Sequence, residues 1–583
     1  MLSFAPLSQL AGIRTKDIKK MAMRHSSKLV LTFSSTSKRS ESIKATGTEV
    51  IRVDTTTLDR CPFRKTHTLQ TKDATTTVPE NKTQLFEDIP GPKGLPIVGT
   101  LFDYFKKDGP RFNKMFKAYQ QRAFDYGPIY KEQIGAISTV VISDPVQYNK
   151  VIRSEGKYPN RREMEPMAHY RRKKKIGLGL VNATINLCSA WHRSITTLKK
   201  SFKKTRSIYI YRQGEEWHKH RTVVSKKMLK MKEVMAYCEG LDIVAEDFVK
   251  HLMDRLDDKC EIKGLETDLF KWSMESIGIF LFDERIGCLG DRTPAQAQDF
   301  IINLHGFFKL MQPLMYNLPI YKLYPTKTWK QYEQYTDNIL KIGRSYVDKK
   351  AEQLQSTENQ SNDHVPFLTY LLSNQSLTPD EALSTATDLL VSATETTTTS
   401  SLWILYSLAK NHEVQDKLYK EIENLLPNKE PITPEILSQL SYLKAVVKET
   451  FRLYPITFAT SRHIDDDLEV NQYIIPAGTH VQGNLYAMYH DPKLYPDPES
   501  FKPERWLDGE MDRKFKSLSN LVWGHGARMC IGKRFAEQEM YIMLTKIIQN
   551  FKLEYHHEDI EPILNTVMTP DRPLRLKFIP RSG

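Results

Sequence analysis

The chain has 583 residues, 40% of them apolar and 26% charged, proportions of a globular protein that exclude a disordered one. Its net charge of +14 is confined to two places: residues 1–40 carry eight Lys and Arg against one Asp, and residues 183–212 carry seven and no acid. The rest is neutral overall, which argues against nucleic-acid binding, and the six scattered cysteines form no CxxC pair, hence no zinc cage and no disulfide framework.

The first segment in chain order, "MAMRHSSKLVLTFSSTSKRSES", is rich in Arg, Lys, Ser and Thr and almost without acids. Residues 1–40 are expected to be a mitochondrial presequence, a basic disordered tail being the other reading. Residues 41–87 are polar and Thr-rich, an expected linker. "IPGPKGLPIVG", residues 89–99, sets three prolines and three glycines at the start of an expected single folded body, 88–583. "PIYKEQIGAISTVVISDP" predicts two β runs broken at Gly135, with Ser143-Asp144 capping the helix that follows. Residues 183–212 show no helical or strand period and separate "GLGLVN" from "QGEEWHKHR". They are expected to form a basic, poorly ordered insertion: a mobile lid, a membrane-contact loop, or translated non-coding sequence.

From about 230 to 455 the period is helical. A second β-rich patch spans 462–490, with "YIIPAGTHV" as a hairpin candidate, and "RFAEQEMYIMLTKIIQNF" reads as a closing helix. No apolar run is long enough to span a bilayer. The expected class is mainly α with small β-sheets.

The chemistry concentrates in "WGHGARMCIGKR", residues 523–534, where Cys530 stands among Gly524, Gly526 and Gly532 just before a helix. Glycines allow a tight turn or close approach to a flat group. A thiolate is a strong metal ligand, and lone thiolate ligation is a known mode for haem iron. Arg528 could pair with a haem carboxylate. A buried structural cysteine is the ordinary alternative. The pattern of Gly526, Arg528, Cys530 and Gly532 resembles the haem-binding signature of the cytochrome P450 family. Trp523 stands where the family usually has Phe, a change expected to need only local repacking.

Other motifs extend the resemblance. "KETFRLYP" puts Glu449 and Arg452 on one helix face, by itself an ordinary surface pair. The resemblance implies a buried pair locked by Arg505 of "FKPERW", bracing the cysteine loop, and a propionate-binding role for Arg462. Trp217 and Arg221 of "GEEWHKHR" share a helix face; taken alone that is an amphipathic helix, and the resemblance implies two contacts to a haem propionate. In "LLVSATETTTTSSLWILYSL" the run Thr396–Thr399 breaches an apolar helix. Read alone, it is a polar stripe facing solvent. The resemblance implies that Glu395 and Thr396 deliver protons on the oxygen-binding face, with Ala393 at a small-residue position and the Thr396 hydroxyl bonded one turn back. The motifs fall in the family's order, and the likeness covers nearly all of 88–580.

With no anchor helix and a presequence-like start, the chain is similar to the mitochondrial-type members. That implies haem b as cofactor, an iron–sulfur ferredoxin as electron donor and a place on the matrix side of the inner membrane, with peripheral membrane contact. Lys444 and Lys448 match the ferredoxin-facing lysines, and Lys533 and Arg534 extend the patch. The implied reaction is haem-thiolate monooxygenation of a lipophilic substrate by O2, a sterol being one candidate. Two other readings stay open: a reductase-independent isomerase or dehydratase, and a non-catalytic haem sensor.

Overall fold

The computed structural model describes residues 84–581 apart from 97, 107–108, 136, 162–163, 177–198, 317–318, 357–364 and 508–520. The expected presequence, most of the expected linker and residues 183–198 lie outside the described residues. The folded body already includes Gln84, ahead of the expected boundary at 88: its N–H bonds Gln472 O at 2.7 Å and its carbonyl accepts from Ile474 at 3.2 Å.

Helix α1 (Met115–Tyr126) leads into a hairpin of β1 (Ile129–Ile134) and β2 (Ile137–Ile142), in register Ile129↔Ile142. Gly135 turns it at φ 58, as its position between the two runs predicts. The Asp144 carboxylate accepts from the Gln147 N–H at 2.9 Å and opens α2 (Pro145–Arg153). α3 (Glu165–Lys174) follows.

α4 runs from Lys199 to Met228. This corrects the reading of 183–212 as a segment without helix: residues 199–212 are helical and continuous with the turn bearing Trp217. No Gly or Pro interrupts 199–213, and its Lys, Arg and Gln favour helix. A helix already nucleated by the packed Trp217 turn can therefore propagate backward.

The helical body comprises α5 (Cys238–Asp254), α6 (Leu265–Phe282), α7 (Ala295–Tyr316), α8 (Lys327–Ser356), α9 (Pro379–Lys410), α10 (His412–Leu425) and α11 (Ser441–Leu453). α9 is the central helix. A capping box starts it, Glu381 N–H to Thr378 Oγ1 at 3.2 Å and Thr378 N–H to Glu381 Oε2 at 2.8 Å. From Thr385 to Ala409 it is buried on nearly every side. Its hydroxyl residues are tolerated because many donate to the carbonyl four residues back, Thr394 to Leu390 and Ser400 to Thr396 among them.

The second β patch contains β3 (Thr460–His463), β4 (Leu468–Val470), β5 (Tyr473–Ile475) and β6 (His480–Gly483). The expected hairpin within "YIIPAGTHV" does not form. β5 pairs with β4, while β6 runs parallel to β2 and antiparallel to β3 in a sheet of order β1-β2-β6-β3. Pro476 has no N–H to continue a ladder. Gly478, at φ 80, then turns the chain against Ile464, donating to its carbonyl at 2.7 Å, and sends it into the other sheet. Leu485–Tyr489 is helical, not strand.

α12 (Lys533–Asn550) closes the body, followed by β7 (Phe551–Glu554), β8 (Pro562–Leu564), β9 (Met568–Pro570) and β10 (Lys577–Pro580), paired β7–β10 and β8–β9. The main core gathers around α9, and a smaller one lies under the four-stranded sheet. Among the described residues no helix is long and apolar enough to cross a membrane.

Candidate active site

Cys530 is partly buried at the N-terminus of α12. Its N–H bonds Trp523 O at 2.7 Å, closing the loop, and Trp523 packs edge-on to Phe451 of α11 with centroids 5.4 Å apart. Burial pushes the thiol above its ordinary value. The N–H groups of Gly532 and Lys533 and the Arg221 guanidinium work the other way. Gly524 and Gly526 sit at φ 75 and 68, so the backbone itself requires them. Gly532 differs: its φ is −82, and an added Cβ would meet nothing within 4 Å. Protein atoms do not demand glycine there; a flat group lying over the loop would.

Four arginines from four segments converge beside this loop. Arg528 donates to Pro159 O at 2.9 Å and stacks over the buried Trp217 ring at 3.5 Å. Arg221 donates to Met529 O at 2.7 Å. Arg462 of β3 bonds Glu155 and donates to His525 O at 3.1 Å. The fourth is Arg161, which sequence reasoning missed. Burial, aggravated by the other guanidinium groups, pushes Arg528 down to about 7 and Arg161 to about 10. Glu155 opposes this at Arg528 without offsetting it. Such a nest calls for further negative charge, and a haem brings two carboxylates. The residues present therefore fit a haem: a sulfur ligand, a glycine-faced loop and guanidinium groups for the propionates.

The Glu449–Arg452–Arg505 set forms a separate bracket. Arg452 meets both Glu449 oxygens at 2.9 and 3.0 Å, Arg505 meets Oε1 at 3.0 Å, and Trp506 Nε1 donates to Oε2 at 2.9 Å. The remaining guanidinium protons go to carbonyls, Arg452 to Pro498 O and Arg505 to Pro496 O at 2.7 Å each. Glu449 and Arg452 are buried, so the pair is not a surface contact. Trp506 adjoins Arg505 in "FKPERW", a signal the sequence offered and reasoning did not use.

On α9, Thr397, Thr398 and Thr399 are buried, which excludes a solvent-facing stripe. The Thr396 hydroxyl bonds Ser392 O at 2.7 Å and lies 3.3 Å from Ala393 O. Glu395 is 7% exposed, and its Oε2 has no hydrogen-bond partner among the described residues. Burial, with Glu266 nearby, pushes its carboxyl up to about 8. It is thus mostly protonated at neutral pH and able to give a proton.

Lys533, Lys448, Arg534 and Lys444 all act on the Glu537 carboxyl, which burial raises and the four cations lower. Lys533 Nζ lies 3.8 Å from it and Lys444 donates to Ser438 O at 2.7 Å. The four predicted cations therefore form one patch, spread over α11 and the start of α12. Elsewhere a cavity of ≈ 230 Å³ has a mixed lining: Met115, Met164, Met315 and Phe458 stand beside polar groups that include Glu165 and His480.

The sequence model of the cytochrome P450 family matches residues 89–207 and 189–578, two stretches that overlap within the basic segment. The chain is 51% identical over 549 residues to cytochrome P450 10 of Lymnaea stagnalis, covering 92% of this chain and 94% of that protein. It is 31% identical over 501 residues to the mitochondrial cholesterol side-chain cleavage enzyme of Sus scrofa, covering 85% and 89%. To the mitochondrial 1,25-dihydroxyvitamin D(3) 24-hydroxylase of Mus musculus it is 28% identical over 504 residues, covering 86% and 91%. A match along nearly the whole folded body, on a mainly helical architecture with small sheets, leaves one conclusion: the chain belongs to the cytochrome P450 family.

Proposed function

We propose that this chain is a ferredoxin-dependent mitochondrial monooxygenase that hydroxylates a lipophilic substrate of sterol type. As a P450 it is a haem monooxygenase. The patch of Lys444, Lys448, Lys533 and Arg534 carries the finer reading: it adjoins the Cys530 loop and offers positive charge to an acidic electron donor. Relatives named as mitochondrial enzymes support the compartment, and the matrix side of the inner membrane follows from the proposed donor. Ile320, Leu323 and Tyr324, exposed beside Lys322 and Lys327, support peripheral membrane contact between α7 and α8.

Haem b, when bound, supplies the redox iron at which O2 is reduced and cleaved. Cys530 would hold it through Sγ, with the Gly532 and Lys533 N–H groups supporting the sulfur's charge. Arg161, Arg221, Arg462 and Arg528 would orient the carboxylates, with Trp217 supporting Arg528 from its face. Glu395 holds a proton at neutral pH and can pass it toward the Thr396 hydroxyl, whose own proton is engaged with Ser392 O. The Glu449 bracket acts at a distance, keeping the cysteine loop in place.

Purified protein titrated with sterols and non-sterol lipids should give a spectral shift with a sterol. Turnover should then require NADPH, ferredoxin reductase and ferredoxin together. Product formation without the reductase system would favour the isomerase reading, and no product from any bound lipid the sensor reading. Cys530→Ser should lose the thiolate-type band of the reduced carbon monoxide complex. Thr396→Ala should keep haem and substrate but consume reductant without matching product.

A further inference from the structure

A buried carboxyl outside the residues used so far sits between the two elements that carry the chemistry. Glu539 lies on α12, the helix that begins just after Cys530, and is 2% exposed. Its Oε1 accepts from the Thr397 hydroxyl of α9 at 2.8 Å, and its Oε2 has no hydrogen-bond partner among the described residues. Burial pushes its carboxyl well above its ordinary value, with the Thr397 hydroxyl the one opposing influence. An apolar side chain of similar volume would fill this core position without the desolvation cost. The carboxyl instead makes one directional tie.

The position of that tie is informative. Thr397 follows Thr396 by one residue, so its side chain points about 100° around the helix, toward α12 while Thr396 faces elsewhere. The Thr397–Glu539 bond thus joins the helix carrying Glu395 and Thr396 directly to the helix carrying Cys530 at its head. We propose that Glu539 is a positioning residue: through Thr397 it sets the placement of the Glu395–Thr396 turn relative to the Cys530 loop. The proposal rests on the haem-thiolate reading above.

The test compares Glu539→Gln, which keeps an acceptor for Thr397, with Glu539→Met and Thr397→Val, which remove the tie from either side. The holoenzyme is probed with carbon monoxide for the C–O stretch. With the ferredoxin system, hydrogen peroxide released per NADPH oxidised is measured in the presence of cholesterol. Glu539→Met and Thr397→Val should keep haem and the thiolate-type band, shift or split the C–O stretch, and raise the peroxide ratio roughly tenfold, as expected for a small misplacement of proton-delivering groups. Glu539→Gln should match wild type, and combining Glu539→Met with Thr397→Val should add nothing to either alone. Met and Val variants indistinguishable from wild type would overturn the proposal. So would a Gln variant that behaves like Met, since the carboxyl proton and not the tie would then matter. If Glu539→Met fails to retain haem, Thr397→Val decides alone. A wild-type protein without the thiolate-type band would overturn the haem-thiolate reading and this inference with it.

Discussion

Two arginine clusters, the Glu449 bracket and the nest beside the cysteine loop, are built on opposite plans. In the bracket, Arg452 and Arg505 share the Glu449 carboxylate and send further N–H groups to backbone carbonyls. In the nest, Arg161, Arg221, Arg462 and Arg528 crowd one another, and Arg528 is held down at about 7. The acids repeat the contrast. Glu449 is bonded through both oxygens, whereas Glu395 keeps one without a partner and is pushed up to about 8. A buried charge that is fully bonded holds the fold. Crowded like charges, and a carboxyl with an oxygen unbonded among the described residues, mark a place where a ligand or a proton is to be received.

The contrast is broken most forcefully by Arg452→Ala. It removes both guanidinium bonds of Arg452 to the buried Glu449, leaving that carboxylate to Arg505, Trp506 and the Lys502 N–H, and should cost about 3–5 kcal/mol, seen as a large drop in the unfolding midpoint and loss of haem from the purified protein. Arg528→Ala should do the reverse. Removing one of several repelling charges should leave apoprotein stability nearly unchanged, while haem affinity weakens by about 2 kcal/mol or more, roughly thirtyfold, in a haem-transfer assay. Equal damage to stability from both substitutions would erase the distinction.

Glu395→Gln sharpens it through pH. The folded carboxyl titrates near 8, well above its ordinary value, so the folded state keeps a proton that the unfolded chain has released. The associated stability is complete below the unfolded value and is lost as pH rises toward and through about 8. Relative to the Gln variant, the wild type should lose on the order of 2 kcal/mol between about pH 6 and 8 in denaturant melts. Parallel curves would place Glu395 in a better-solvated setting.

Lys444→Glu should have the smallest effect on folding, within about 0.5 kcal/mol, because among the described residues this half-buried side chain makes one hydrogen bond, to the Ser438 carbonyl, and is otherwise held only by diffuse charge interactions. Its effect should appear in reduction by ferredoxin, slowed about tenfold at low salt and converging on wild type as salt rises. Unchanged reduction at low salt would remove the patch from docking.

Where a function rests on residues close together in the chain, it could be read before the structure. The loop 523–534 contains its own turns, its sulfur and the start of its helix, and the Asp144 cap and the Gly135 turn are equally local. The errors came where pairing is a choice among distant partners. β6 could have joined β5 a few residues away and instead joins β2 and β3. Residues 199–212 lack an amphipathic period of their own and are helical as the leading part of a helix whose other end packs around Trp217.

The amino-acid sequence by itself determined the thiolate loop, the Glu-x-x-Arg and Trp-x-x-x-Arg spacings and the breach in the central helix, because each is set by backbone geometry over one or two turns. Only the tertiary structure decided that Arg161 joins the nest, that Trp506 completes the bracket and that Glu539 meets Thr397. Those roles arise from burial and mutual charge, which act through space between residues far apart in the chain and leave no local pattern to read.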